Sequence, residues 1–117
     1  MMNFQENIQN NVVLLPLEGK LMGGVETKNL SDELQQLLSK GYTQIVLDFE
    51  NVKWINSPGI GALIKWLCIL REQGGDLRFT NAEGKVKYYL RITKLKDVIK
   101  TFDSPQDAVN SYSILAS

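Results

Sequence analysis

The run TQIVLDF at 43–49 constrains the fold more than any other stretch of this chain. Three consecutive apolar residues at 45–47 are typical of a strand that is covered on both faces. Helical patterns flank this run at 26–40 and 57–73. A buried strand between two such helices indicates βαβ units, in which helices join parallel strands. We therefore predict an α/β fold with a single-layer, mostly parallel sheet of four to five strands and helices packed on it.

Both helical patterns place apolar residues on one face. In the first, Leu30, Leu34, Leu37 and Leu38 recur at steps of four, three and one, and Gly41 marks the end of the helix. The predicted buried face of the second helix comprises Ile60, Leu63, Ile64 and Leu67, broadened by Trp66, Cys68 and Leu70. Each helix is therefore expected to lie with an apolar face on the sheet.

Turn residues divide the rest of the chain into short elements. Asn10 and Asn11 accept positive φ, so residues 4–9 and 12–18 are predicted to form a hairpin. Pro16 lacks an amide hydrogen, so the second strand is expected to bulge or to have a free edge there. The remaining predicted elements are a connector at 50–56, strands at 77–80 and 98–102, a helix at 84–92, and a last helix that begins at Pro105 with Ser104 as its cap.

Composition argues against several classes of function. The 117 residues suit one domain, and 13 basic against 13 acidic residues leave no net charge, which disfavours a nucleic-acid partner. The chain lacks histidine, the commonest general base and metal ligand, and a single cysteine, Cys68, excludes an internal disulfide or a thiolate cluster. It has no apolar run of about 18 residues and no visible secretory signal. We expect a cytoplasmic, non-enzymatic domain without membrane contact, metal or cofactor.

The junction at 56–61, which opens the second helix, carries the strongest functional signal. The first amides of a helix lack intrahelical partners, and the Ser57 hydroxyl is expected to cap them. Pro58 suits a first turn, but Gly59 and Gly61 each lower helix propensity by about 1 kcal/mol relative to alanine. Bare backbone lets another chain approach closely, so we interpret this turn as a contact surface. A plain helix cap at Ser57 is the alternative, and a phosphate-binding loop is disfavoured because no Walker lysine follows.

The stretch VLDFENVKWINSPGIGALI at 46–64 resembles the signature of the STAS family, to which the anti-sigma factor antagonists belong. That signature is a strand of the form vDls, followed by iDSsGlg.L at the start of the next helix. The matching residues are Val46, Leu47, Asp48 and Phe49 in the strand, and Val52, Ile55, Ser57, Gly59, Ile60, Gly61 and Leu63 beyond it. LEGKL at 17–21 matches a further family strand. The resemblance covers nearly the whole chain and implies one STAS domain over 1–117, with a STAS-like (SpoIIAA-like) fold.

The resemblance also implies a function. In such antagonists the partner anti-sigma factor is a serine kinase that phosphorylates the serine of this motif, and a PP2C-type phosphatase removes the phosphate. The unphosphorylated form binds the anti-sigma factor and frees the sigma factor. Ser57 stands at the matching position. The alternative is a STAS scaffold or interaction subunit of a larger signalling or transport complex, without serine phosphorylation.

Three positions depart from the family pattern. Asn56 stands where the motif usually has aspartate, Pro58 where a second serine or threonine is common, and Met22 where many antagonists carry aspartate. Two carboxylates and one hydroxyl are thereby absent. The predicted partner-binding residues are Met22, Trp54, Asn56, Ser57, Pro58, Gly59, Ile60 and Gly61, with Ser57 as the phosphorylation site and Asp48 in support.

Other polar and aromatic residues leave alternatives open. Asp48, at the predicted end of a strand, is expected to orient the neighbouring loop by accepting hydrogen bonds from backbone amides; the alternative is that it helps to hold the metal ion of a partner kinase. Trp54 fits either a core or loop anchor or a partner-binding residue. A basic run fits either a solvated helix face or a surface that steers an acidic partner; it comprises Lys85, Lys87, Arg91, Lys94, Lys96 and Lys100.

Overall fold

The computed structural model describes residues 7–113, which form a five-stranded, mostly parallel sheet with four α-helices. The strands are β1 (Asn7–Gln9), β2 (Val12–Leu21), β3 (Gln44–Ile55), β4 (Asp76–Thr80) and β5 (Thr101–Phe102). The helices are α1 (Val25–Ser39), α2 (Ser57–Glu72), α3 (Gly84–Ile92) and α4 (Pro105–Ser113), with a 3-10 turn at Leu95–Asp97. The predicted fold class is confirmed.

The strands follow one another across the sheet in chain order. β1 and β2 form the predicted antiparallel hairpin, and every later pair is parallel. Asn10 and Asn11 make its turn with φ of 52° and 68°; residues 4–6 of the predicted first strand lie outside the described residues. The β2–β3 register shifts between Pro16 and Glu18, as expected beside a residue that donates no ladder hydrogen bond.

β3 is longer than the sequence suggested, and the predicted connector at 50–56 is wrong. β2 also runs past its predicted end, and the two strands stay paired up to Leu21 and Ile55. Two register shifts in this half of the pair break the strict alternation of a strand, so Phe49, Val52 and Ile55 are buried at intervals of three. β2 and β3 therefore end side by side, at the edge where α1 and α2 begin.

Helices cover both faces of the sheet. α1, α2 and α3 share one core cluster with the strands, and α4 covers the other face through Ala108, Val109 and Tyr112. The predicted burial of Trp66 is confirmed, along with that of Leu30, Leu34, Leu37, Leu63, Leu67 and Leu70. Ile64 and Cys68, predicted on the buried face of α2, are exposed, because they lie about 100° round the helix from Leu63 and Leu67.

The last strand is shorter than predicted. Only Thr101–Phe102 of the predicted strand 98–102 pairs with β4, because the chain first passes through the 3-10 turn. The predicted cap of α4 is confirmed: the Ser104 hydroxyl accepts a hydrogen bond of 3.1 Å from the Asp107 amide.

A buried ionic cluster fixes α4 on the sheet. The Arg78 guanidinium lies 3.0 Å from the Asp76 carboxylate, donates to the Ser111 hydroxyl, and stacks 3.9 Å from the centre of the Tyr112 ring. Arg71 reaches the same carboxylate at 2.9 Å. Burial alone would raise the pKa of Asp76, but the hydrogen bonds from Arg71 and Arg78 outweigh it and hold that pKa below its ordinary value.

Candidate functional site

The candidate site lies where the loops that follow β2 and β3 meet. The Asn56 amide donates to the Leu21 carbonyl at 3.2 Å, and the Asn56 side chain donates to the Met22 carbonyl at 3.5 Å. Gly23 packs so closely on Pro58 that a Cβ there would lie 2.7 Å from the proline Cβ. The parallel pairing of β2 and β3 thus joins Met22 to the 56–58 turn, as the site prediction requires.

Asn56, rather than Ser57, caps α2. The Asn56 backbone is extended, and its Oδ1 accepts a hydrogen bond of 3.2 Å from the Gly59 amide. The expectation that Ser57 caps the helix is therefore wrong, because the helix begins at Ser57, one residue earlier than a serine cap requires. Ser57 is the first helical residue instead, and it is exposed. Within residues 7–113 its hydroxyl has no hydrogen-bond partner, so it is accessible from solvent.

The two glycines of the first turn differ in their surroundings. Gly59 is buried against β2: a Cβ there would lie 2.0 Å from the Leu21 carbonyl oxygen. Ile60 is buried in the core as well. The prediction that Gly59 and Ile60 belong to an open contact surface is therefore wrong, since the chain's own β2 occupies the space. Gly61 is exposed, and a Cβ there would meet nothing within 4 Å.

Several apolar side chains are exposed on the side of Ser57, along α2 and at the start of α1. Ser57, Gly61 and Ile64 follow one another along the exposed face of α2 at the spacing i, i+4, i+7. Ile64 is 43% exposed, and Met22 and Val25, at the start of α1, are 44% and 73% exposed. The first turn of α2 carries no acidic residue. This surface, made of Met22, Val25, Ser57, Pro58, Gly61 and Ile64, is called the Ser57 surface below.

Val25 and Ile64 were not among the predicted site residues. Ile64 adjoins Leu63 and fits the same helical pattern, so its sequence position does not show that it faces outwards. Val25 gives no local indication of exposure either, because a β-branched apolar residue at a helix start can be buried as well as exposed. Their exposure becomes evident only once the orientation of both helices is known.

Few backbone amides remain available at the start of α2. Pro58 has none, the Gly59 amide is taken by the Asn56 side chain, and the Ile60 amide donates to the Asn56 carbonyl at 2.9 Å. In the first turn of α2, the Ser57 amide is the one backbone amide without a hydrogen-bond partner in the described chain. An anion here would meet the positive end of the helix dipole but little direct hydrogen bonding.

Asp48 lies in the middle of β3, seven residues before its end, and not beside the junction as predicted. Its Oδ1 accepts hydrogen bonds from the Glu50 amide at 3.0 Å and from the Asn81 side chain at 3.1 Å. The predicted acceptance of a backbone hydrogen bond is confirmed. Because Glu50 belongs to β3, this bond orders the strand, and the expectation that Asp48 orients a neighbouring loop is wrong. Its supporting part in the site stays a prediction.

Trp54 belongs to β3 rather than to a connector, and it is half-buried. Its ring packs edge-on against Tyr89 of α3, 5.5 Å between centres, and the Lys85 ammonium lies 4.7 Å from its centre. Trp54 thus serves as an anchor within the fold, through its contacts with α3. Its predicted part in partner binding stays a prediction.

The described residues show no group of three or more His, Cys, Asp or Glu side chains placed to hold a metal ion. Over the same part of the chain, no helix combines the length and the apolar character needed to cross a bilayer.

Residues 3–108 match the family model of the STAS domain. A protein of Thermotoga maritima named "Putative anti-sigma factor antagonist" is 27% identical over 108 residues, which cover 91% of this chain and 94% of that protein. A crystal structure from Thermotoga maritima under the same name superposes with a TM-score of 0.81 at 26% identity, over 92% of each chain.

The fold is also shared with more distant proteins. The anti-sigma factor antagonist SpoIIAA in its unphosphorylated form superposes with a TM-score of 0.71 at 16% identity, over 95% of this chain and 97% of that one. The phosphorylated form of SpoIIAA, from Bacillus, superposes with a TM-score of 0.72 at 17% identity, over 94% of this chain and 99% of that one. At these identities the likeness concerns the fold.

Proposed function

The chain belongs to the STAS domain family, and from that premise we propose that it is an anti-sigma factor antagonist controlled by phosphorylation of Ser57. The proposed partner is an anti-sigma factor that is also a serine kinase. The unphosphorylated chain binds it and releases a sigma factor, and a PP2C-type phosphatase restores this form after phosphorylation. The chain acts in the cytoplasm, as one STAS domain over 1–117, and catalyses no reaction itself.

The exposed, unpartnered hydroxyl of Ser57 carries this proposal. A serine that caps a helix has its oxygen engaged with backbone amides, and a kinase must break that bond to reach it. Here Asn56 takes the capping role, with its Oδ1 3.2 Å from the Gly59 amide. The departure from the family's aspartate thus keeps the acceptor oxygen that the helix needs and leaves Ser57 accessible.

The apolar character of the Ser57 surface explains how a phosphate would block binding. Phosphoserine adds about −1.5 to −2 charges and three acceptor oxygens. A partner that covers Met22, Val25 and Ile64 removes water from this region, and the first turn offers a phosphate a single free amide. Burying the dianion there costs several kcal/mol, and about 4 kcal/mol corresponds to a thousandfold loss of affinity.

The fold itself is expected to change little on phosphorylation. SpoIIAA in its unphosphorylated and phosphorylated forms superposes on this chain equally well, with TM-scores of 0.71 and 0.72. Ser57 also lies at the positive end of the α2 dipole, which favours a negative charge. We therefore expect the modification to act at the surface that a partner contacts.

Mass spectrometry of the chain purified from its source cells tests the proposal. We expect a species heavier by about 80 Da, the mass of an added phosphoryl group, that fragmentation assigns to Ser57. Ser57→Ala should lose it. Ser39→Ala is the matched control, because Ser39 is also exposed but donates to the Gln36 carbonyl at the end of α1. Phosphate on other residues, with Ser57 unmodified in cells where the sigma factor is inactive, would contradict the proposal.

The alternative, an interaction subunit that is not phosphorylated, is favoured by one observation. Asn56 and Pro58 leave one free amide at the start of α2, so the site offers a phosphate few hydrogen-bond donors. An unmodified Ser57 under all growth conditions, together with stable binding of a partner to the Ser57 surface, would establish this alternative.

A further inference from the structure

Basic residues are concentrated in one segment of a chain that is neutral overall. Residues 83–100 contain six basic residues and two acidic ones, Glu83 and Asp97. Of the six, Lys87 alone forms an ion pair within the described chain, at 3.8 Å from Glu83. The segment therefore presents an excess of positive charge that the chain itself does not neutralise.

Three aromatic rings connect two of these cations into a continuous row. The Lys85 ammonium lies over Trp54 at 4.7 Å from the ring centre, and Trp54 packs edge-on against Tyr89. Tyr89 packs edge-on against Tyr88 at 5.8 Å, and the Arg91 guanidinium lies 5.8 Å from the centre of the Tyr88 ring. We call these five residues the aromatic row.

The aromatic row is open to solvent along much of its length. Tyr88 is 52% exposed, Lys85 and Arg91 are exposed, and Trp54 and Tyr89 are half-buried. Packing holds the rings in place, so a ligand would meet a preorganised surface. Exposed tyrosine, tryptophan and arginine are also the residue types that dominate binding energy at protein interfaces.

We propose that the aromatic row is a second docking surface, which binds an acidic, extended segment of a partner protein. Carboxylates of such a segment would pair with Lys85 and Arg91, while its backbone and apolar atoms would lie on the rings between them. Trp54 stands three residues before Ser57 in an extended chain, hence within about 10 Å of it along the strand. One partner could therefore contact both surfaces.

The charge distribution favours an acidic protein segment over a nucleic acid. Phosphate backbones are bound through many cations arranged along a groove. The aromatic row offers one cation at each end, and outside residues 83–100 the chain carries more acidic than basic residues. The row therefore suits a few carboxylates spaced along an extended segment. This docking surface goes beyond the proposed function, since it does not depend on the state of Ser57.

Nuclear magnetic resonance on the isotopically labelled full chain tests the proposal. The probe is a synthetic peptide of alternating Glu and Ser, about eight residues long, which spans the row when extended. The two indole N–H signals give a built-in comparison. Trp54 belongs to the row, whereas the Trp66 indole is buried and donates to the Ser31 hydroxyl at 3.1 Å. We expect the Trp54 signal to shift on titration and the Trp66 signal to stay in place.

Two double variants distinguish binding of the peptide at the aromatic row from nonspecific electrostatic attraction to the chain. Lys85→Gln combined with Arg91→Gln should weaken binding of the peptide at least about tenfold. Lys28→Gln combined with Lys40→Gln removes the same charge from α1 and its C-terminal cap, and it should change the affinity for the peptide less than about twofold. A peptide of alternating Gln and Ser should not bind.

Several results would overturn the proposal. These are an unmoved Trp54 signal, equal weakening by both double variants, or tighter binding of a thymidine oligonucleotide than of the acidic peptide. Ser57→Asp should bind the peptide as the natural chain does. Failure of peptide binding would thus leave the Ser57 switch intact, and failure of Ser57 phosphorylation would leave this surface intact.

Discussion

Alanine substitutions at Gly59 and Gly61 should have opposite effects on stability, although the two glycines look alike in the sequence. A Cβ on Gly59 would lie 2.0 Å from the Leu21 carbonyl oxygen and 2.8 Å from the carbonyl carbon. The start of α2 must then move from β2 by more than about 1 Å to restore van der Waals separation. That movement breaks the 3.2 Å hydrogen bond between the Asn56 amide and the Leu21 carbonyl.

The magnitude follows from these contacts. Overpacking against a backbone group costs about 3 kcal/mol, and the lost hydrogen bond costs about 1 kcal/mol. Better helix propensity offsets about 1 kcal/mol of this. Gly59→Ala should therefore lower the free energy of unfolding by about 3 kcal/mol. Gly61→Ala meets no atom within 4 Å and should raise it by up to about 1 kcal/mol.

Urea unfolding at neutral pH, followed by circular dichroism, measures both variants against the natural chain. The two should differ by about 4 kcal/mol, which corresponds to a difference of about 15 °C in melting temperature. Gly61→Ala should also weaken partner binding without loss of stability, because its new methyl group enters the Ser57 surface. Variants of equal stability, or a Gly59→Ala chain as stable as the natural one, would refute the assignment of Gly59 to the interior.

Two further predictions concern the cap of α2 and the cluster beneath α4. Asn56→Ala should lower the free energy of unfolding by about 1 kcal/mol. Asn56→Asp should not lower it, because it keeps the acceptor oxygen at the positive end of the helix. If urea unfolding shows that both variants lose the same free energy of unfolding, Asn56 is not the cap. Asp76→Asn should cost about 3 kcal/mol at pH 7, because it leaves the buried Arg78 without its carboxylate. Since the pKa of Asp76 is lowered by folding, the stability it contributes is present above its unfolded value of 3.8 and is lost as the pH falls below it. The difference in free energy of unfolding between the natural chain and the variant, measured by urea unfolding, should therefore be smaller near pH 2 than at pH 7. A difference that does not depend on pH would refute this.

Features with a local chemical signal could be predicted from the sequence. The apolar run of β3, the paired asparagines of the first turn and the Ser104-Pro105 helix start each depend on a few adjacent residues. The parallel topology followed from strands alternating with helices of sufficient length. The helix start at 56–61 also had a local signal in its serine, proline and two glycines, whereas Met22 entered the predicted site only through the resemblance to the STAS family.

Features set by contacts between distant segments could not be predicted. Asn56 and Ser57 are both good capping residues, and the choice between them depends on where β3 ends. That end is set by pairing with Leu21, which lies 34 residues before Ile55 and is not marked in the sequence. Which glycine faces β2 likewise depends on the rotation of α2 about its axis.

The most direct test of the central claim is the affinity of an anti-sigma factor kinase from the source organism for the chain in two forms. Isothermal titration calorimetry would compare the unmodified chain with a chain that carries phosphoserine at position 57, and Ser57→Ala would serve as the control. We expect the unmodified chain and Ser57→Ala to bind alike, and the phosphorylated chain to bind about a thousandfold more weakly. Affinities of the two forms within about threefold of each other would contradict the claim that Ser57 controls partner binding.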